Sequence, residues 1–224
     1  MPIVYLLRHA QSEANIKGVL AGRDDSVNLS KHGQKQALNL VSYLENLNID
    51  QVYCSPLARC IQTINPFMKK NPRISFDFEP QLLEMDYGTW SGKSLKILSR
   101  SKQWKSVQSS PDKFRFPEGE SFKQMRLRVD AMIEKLSKAK EPVLLVTHGD
   151  IVKMFIASAV NAPINQFQSY VIEPGSITTL NVSKSGHTVL QTNYSQKESN
   201  FKAFRTNILG GGNLIQARTK RNIK

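Results

Sequence analysis

Pro2-Ile3-Val4-Tyr5-Leu6-Leu7-Arg8-His9 and Pro142-Val143-Leu144-Leu145-Val146-Thr147-His148 each carry an apolar run directly into a histidine. Short runs this rich in Val, Ile and Leu suit strands buried on both faces of a parallel sheet. In open α/β sheets the ligand crevice lies outside the carboxyl ends of the strands, so residues leaving different strands at that edge converge. The pattern therefore predicts Arg8, His9 and His148 side by side.

Working outward from the first run, a polar loop leads to Ala37, Leu40, Val41, Leu44 and Leu47 at helical spacing, with Ser30 placed as the N-cap. Gln51 to Cys54 reads as a strand, and Ser55-Pro56 opens a helix that Pro66 is expected to interrupt or end. Ile74 to Phe78 alternates like a further strand. This β-α-β-α-β order predicts an α/β fold, a three-layer α/β/α sandwich around a mostly parallel central sheet. Residues 86–116 read as an irregular, polar, cap-like insertion over the sheet edge. Beyond it come a helix from Phe122 to about Ala139, the strand of the second histidine, a helix from about Asp150 to Val160, and a closing pair of strands around Ser185-Gly186. Residues 1–212 are read as one domain, and 213–224 as a loose basic tail.

A chain of 224 residues with 40% hydrophobic content is long enough for a full core. No apolar run approaches the roughly 18 residues of a membrane span, and no basic segment with a cleavage site precedes the first strand, so a cytoplasmic location is expected. Cys54 and Cys60 fit neither a disulfide framework nor a zinc motif and are read as packed thiols. The net charge of +13 invites a nucleic-acid reading. Its densest stretch, Arg218 to Lys224, is expected instead to be a solvated end, and an anionic small substrate would also favour a positive field.

At the predicted edge, Arg59 leaves the second strand and Glu84 follows the third. Arg8, His9, Arg59 and His148 form a donor set suited to an oxyanion, above all phosphate, because the guanidinium fork bonds phosphate oxygens in pairs. Other phosphate motifs fail on spacing. Gly88-Thr89-Trp90-Ser91-Gly92-Lys93-Ser94 is one residue short between its glycines for a nucleotide loop, and Cys54 does not reach Arg59 at the spacing of cysteine phosphatases. HExxH, GxSxG and the Rossmann glycines are absent.

Four segments in order resemble the histidine phosphatase superfamily, the phosphoglycerate-mutase-like enzymes. Arg8-His9-Ala10-Gln11-Ser12-Glu13-Ala14-Asn15 resembles its RHGxSxxN opening, and Ser55-Pro56-Leu57-Ala58-Arg59-Cys60-Ile61-Gln62-Thr63 its SPLxRxxQT segment. Leu83-Glu84 through Gly92 resembles its LxExxxGxxxG segment, and Thr147-His148-Gly149 its second histidine. The resemblance implies a phosphomonoester phosphatase in which His9 becomes phosphohistidine, His148 and Glu84 complete the catalytic set, and Glu84 is the proton donor. Arg8, Asn15, Arg59 and Gly149 would bind the phosphoryl group of a small phosphate ester, with no metal and no cofactor. A phosphomutase using the same site is the alternative, and a phospho-ligand or nucleic-acid binding module is the reading from another class. Two departures stand out. Ala10 replaces the usual glycine, so the backbone there must either avoid positive φ or accept strain. Gly149 intervenes before Asp150, where the acid-phosphatase branch has its aspartate directly after the histidine, which favours Glu84 over Asp150 as the acid. His32 and His187 are expected at the surface, and Arg128 in an ion pair.

Overall fold

The computed structural model describes residues 2–195. The basic tail lies outside them. Strands β1 (Ile3–Arg8), β2 (Gln51–Cys54), β3 (Ser75–Phe78), β4 (Val143–Thr147), β5 (Ile177–Ser183) and β6 (Gly186–Tyr194) form one sheet in the order β3-β2-β4-β1-β5-β6. β1 to β4 are mutually parallel, while β5 and β6 close the far edge in antiparallel fashion. The helices are α1 (Glu13–Lys17), α2 (Lys31–Glu45), α3 (Ala58–Lys70), α4 (Leu95–Leu98), α5 (Lys102–Ser109), α6 (Phe122–Leu136) and α7 (Gly149–Ala159). The sandwich expected from the sequence is the fold observed.

Alternation along the central strands sends successive side chains to opposite faces. Leu144 and Val146 join Leu40, Val41, Leu44, Ile64 and Phe67 of α2 and α3, whereas Val143 and Leu145 join Met125, Val129, Met132 and residues of α7. Strands buried on both faces therefore read as unbroken apolar runs. The register pairs Leu7 with Val146 and Arg8 with Thr147, so the next residue on each strand is a histidine. The His9 amide donates to the Thr147 carbonyl at 2.8 Å, which locks the two strand ends together.

Two local expectations are corrected. Pro66 neither interrupts nor ends its helix: α3 runs through it to Lys70. Proline removes one backbone donor, but Ile64 and Phe67 on either side are only 1% and 2% exposed, and burying them outweighs that loss. Residues 86–116 are not irregular, since α4 and α5 lie there with short 3-10 turns. Trp90, Phe114 and Phe116 are mutually packed at ring distances of 5.0–5.7 Å, and Phe116 carries the cluster on to Phe122 in the main core. The segment's polar residues had masked an apolar underside whose aromatics follow neither helical nor strand period.

Gly33, in the first turn of α2, donates its amide to the Ser30 cap hydroxyl at 3.0 Å. A Cβ at Gly33 would overlap the carbonyl oxygen of Gln11, in the loop just after His9. Gly33→Ala is expected to lower stability by about 2–3 kcal/mol, read by urea titration, because two backbone segments would have to separate.

Candidate active site

His9 follows β1 and His148 follows β4 as the N-cap of α7, and their rings stand edge to face with centroids 5.2 Å apart. His9 Nδ1 lies 2.8 Å from the Ala10 carbonyl. A carbonyl oxygen only accepts, so Nδ1 carries the proton and Nε2 keeps its lone pair. Burial, then the charges of Arg59 and Arg8, hold the His9 pKa well below the ordinary 6.5. The ring is thus a neutral imidazole. Ala10 takes no positive φ, and its amide donates to Thr63 Oγ1 at 2.9 Å. The Thr63 hydroxyl in turn donates to the Arg59 carbonyl at 2.7 Å, tying the His9 loop to α3.

Arg8 and Arg59 are buried, at 3% and 1% exposure. The Arg8 guanidinium donates to the Ile172 carbonyl, and that of Arg59 to the carbonyls of Gly22 at 2.7 Å and Asp24 at 3.0 Å. Backbone carbonyls orient both forks. Arg8, His9, Asn15, Arg59 and Glu84 line one small cavity of about 30 Å³, together with Ser12 and Tyr87. Asn15 also closes a reciprocal cap with Ser12, accepting from its amide and hydroxyl at 2.9 Å.

Glu84 is raised to about 7, first by burial and then by the nearby Asp150 carboxylate, against the opposing pull of the Met85 amide, Arg59 and Arg8. Its Oε1 accepts from the Met85 amide at 2.9 Å. Asp150 has other partners: the Tyr87 hydroxyl at 2.8 Å and the buried Lys153 ammonium at 3.6 Å. The Glu84 segment is held against β4 by Thr147 Oγ1, which donates to the Leu82 carbonyl at 2.8 Å.

The family model for the histidine phosphatase superfamily (branch 1) matches residues 4–195, nearly all of what the structure describes. The chain belongs to the histidine phosphatase superfamily. Among similar histidine phosphatase relatives, phosphoserine phosphatase 1 of Hydrogenobacter thermophilus is 26% identical over 192 residues, covering 84% of this chain and 90% of that one. The adenosylcobalamin/alpha-ribazole phosphatase of Escherichia coli is 24% identical over 185 residues, 81% of this chain and 90% of its own. The crystal structure of the alpha-ribazole phosphatase from Shigella flexneri superimposes with a TM-score of 0.75 at 22% identity, over 86% of this chain and 96% of that one. Enzymatic phosphate chemistry follows from membership of the histidine phosphatase superfamily.

Of the residues singled out in the sequence, His148 and Gly149 do not line the cavity. His148 sits behind His9, fully buried, with Nε2 2.8 Å from Ser55 Oγ and 3.5 Å from Cys60 Sγ. Gly149 is buried as the first residue of α7. Ser55, read from sequence as opening a helix, is the partner of His148, while Leu57 stands at the N-cap position of α3. Ser12, Thr63 and Tyr87 were missed as site residues. Ser12 and Thr63 had a detectable signal, each occupying a fixed position of a segment that resembles the family, and Ser12 also opens a Ser-x-x-Asn cap. His32 is exposed, and Arg128 pairs with Glu120 at 2.8 Å, both as expected. His187 is only half-buried, and both cysteines are free buried thiols. Ser55→Ala strands a buried imidazole nitrogen and is expected to cost about 1–3 kcal/mol in a urea titration. Among the described residues no group of three or more His, Cys, Asp and Glu is placed to hold a metal ion, and no helix is long and apolar enough to cross a membrane.

Proposed function

We propose that this chain is a phosphomonoester phosphatase acting on a small phosphorylated metabolite through a phosphohistidine at His9. The observation that carries the reading is the tautomer: with Nδ1–H held by the Ala10 carbonyl, the Nε2 lone pair is left for phosphorus. Arg8 and Arg59 bond the non-bridging oxygens and offset the charge gathering there, with Asn15 beside them on the cavity wall. His148 and the amide end of α7 at Gly149 back the same oxyanion from behind His9.

In the first step the Nε2–P bond forms as the P–O ester bond breaks, and the proton of neutral Glu84 passes to the departing alkoxide. In the second, Glu84 takes a proton from water as that water's oxygen bonds phosphorus and the P–N bond breaks. A carboxyl raised to about 7 suits both duties, being half-protonated at neutral pH. Residues 86–116, through Leu95 on the cavity wall, would act as the cap of this single domain.

Partition between acceptors tests the pathway. Hydrolysis of several phosphate esters in water containing ethylene glycol is expected to give one constant ratio of inorganic phosphate to phosphoglycol, because every ester leaves the same phosphoenzyme. A ratio that varies with the ester would contradict a shared intermediate. Quantitative return of phosphoryl groups to phosphoglycerate, with no free phosphate, would favour a mutase.

A further inference from the structure

The roof of the cavity carries different chemistry from its floor. Beyond Arg8, His9, Ser12, Asn15, Arg59 and Glu84, the lining consists of Ala14, Val19, Leu20, Ala21, Gly22, Tyr87 and Leu95, and none of these is a cation. The roof is built from two segments joined by backbone hydrogen bonds: Leu20 to the Lys93 carbonyl at 3.0 Å, Gly92 to that of Leu20 at 2.8 Å, and Leu95 to that of Gly18 at 2.9 Å. Lys93 enters this seam through its main chain and lines no part of the cavity. Outside, Ile16 and Ile97 on α1 and α4 are 60% and 67% exposed, so both elements beside the roof present apolar side chains to solvent as well.

From this division we infer that the substrate's alcohol is uncharged and largely apolar, an inference that rests on the phosphatase reading above. Arg8 and Arg59 bind the phosphoryl oxygens, and the alcohol oxygen faces Glu84. Whatever is bonded to that oxygen then meets Ala14, Val19, Leu20, Ala21 and Leu95. The cation beside this wall, Arg23, already bonds the Glu84 carbonyl and pairs with Asp86 and Glu120, so a carboxylate carried there would lose its water without gaining an uncommitted cation and would approach Glu84, itself an acid. An alkyl group loses nothing and gains contact with apolar walls.

The test compares esters whose leaving groups are all alkoxides, so that intrinsic reactivity does not mask recognition: n-butyl phosphate, O-phosphoserine and 3-phosphoglycerate. The expected kcat/KM for n-butyl phosphate is at least about 30-fold above either carboxylate-bearing ester. Val19→Arg, at a half-buried roof position on the cavity wall, is expected to narrow that ratio about tenfold by placing a cation there. Equal or higher kcat/KM for phosphoserine or 3-phosphoglycerate in the unmodified protein would overturn the inference while phosphohistidine still formed. Failure to turn over any ester, with no phosphoryl group on His9, would overturn the phosphatase reading beneath it.

Discussion

Replacing His9 with alanine is expected to lower kcat/KM toward p-nitrophenyl phosphate by about 10⁴-fold or more, because the other oxygen groups on the cavity wall are committed elsewhere, the Ser12 hydroxyl to Asn15, the Tyr87 hydroxyl to Asp150 and Glu84 to proton transfer. Phosphate binding should survive the change. Arg8 and Arg59 are oriented by the carbonyls of Ile172, Gly22 and Asp24, none of which depends on the imidazole. Inorganic phosphate should therefore still raise the melting temperature of His9→Ala, while turnover is gone. That split separates a lost nucleophile from a collapsed site. An alanine variant with turnover within tenfold of the parent would place the attacking atom elsewhere.

Glu84→Gln is expected to reduce kcat with alkyl esters by about 10²–10⁴-fold and, at the same time, to stabilise the fold at pH 8. The sign follows from the raised pKa. Glu84 stands near 7 in the folded state against an ordinary 4.5, so below pH 4.5 both states are protonated and the group contributes nothing. As pH rises from 4.5 toward 7, the unfolded chain ionises while the folded one does not, and stability falls. Above pH 7 the full difference of about 3 kcal/mol has been lost. Glutamine never ionises and can still accept from the Met85 amide, so at pH 8 it recovers most of that amount. The variant's advantage should vanish near pH 4. In the parent, kcat/KM should also decline above pH 7 as the proton donor is lost. Esters with acidic leaving groups such as p-nitrophenolate should depend far less on Glu84 in the first step.

The parts of this molecule most legible in the sequence are those where a local pattern and a tertiary position coincide. Leu7 and Val146 are in register, so the two histidine-ending runs predicted both the sheet and the meeting of His9 with His148. Arg59 and Glu84 were legible for a similar reason, each following a strand into the same edge. Depth was not legible. His148 lies behind His9 because Ser55 and Cys60 occupy the space around its ring, and nothing local marks Ser55 as more than the start of a helix. The aromatic underside of residues 86–116 was hidden likewise, since Trp90, Phe114 and Phe116 meet through loop geometry rather than periodicity. Pro66 misled because its local effect on α3 was outweighed by the burial of Phe67, a tertiary term.

The central claim is that the Nε2 lone pair of His9 captures phosphorus, and rapid quench into alkali with a ³²P-labelled ester tests it most directly. A phosphoramidate survives base and is lost in acid, so the account predicts a base-stable, acid-labile label forming within the first turnover, and peptide mapping should place it on His9. A label on any other residue, or turnover at full rate with no protein-bound phosphate at any quench time, would contradict it.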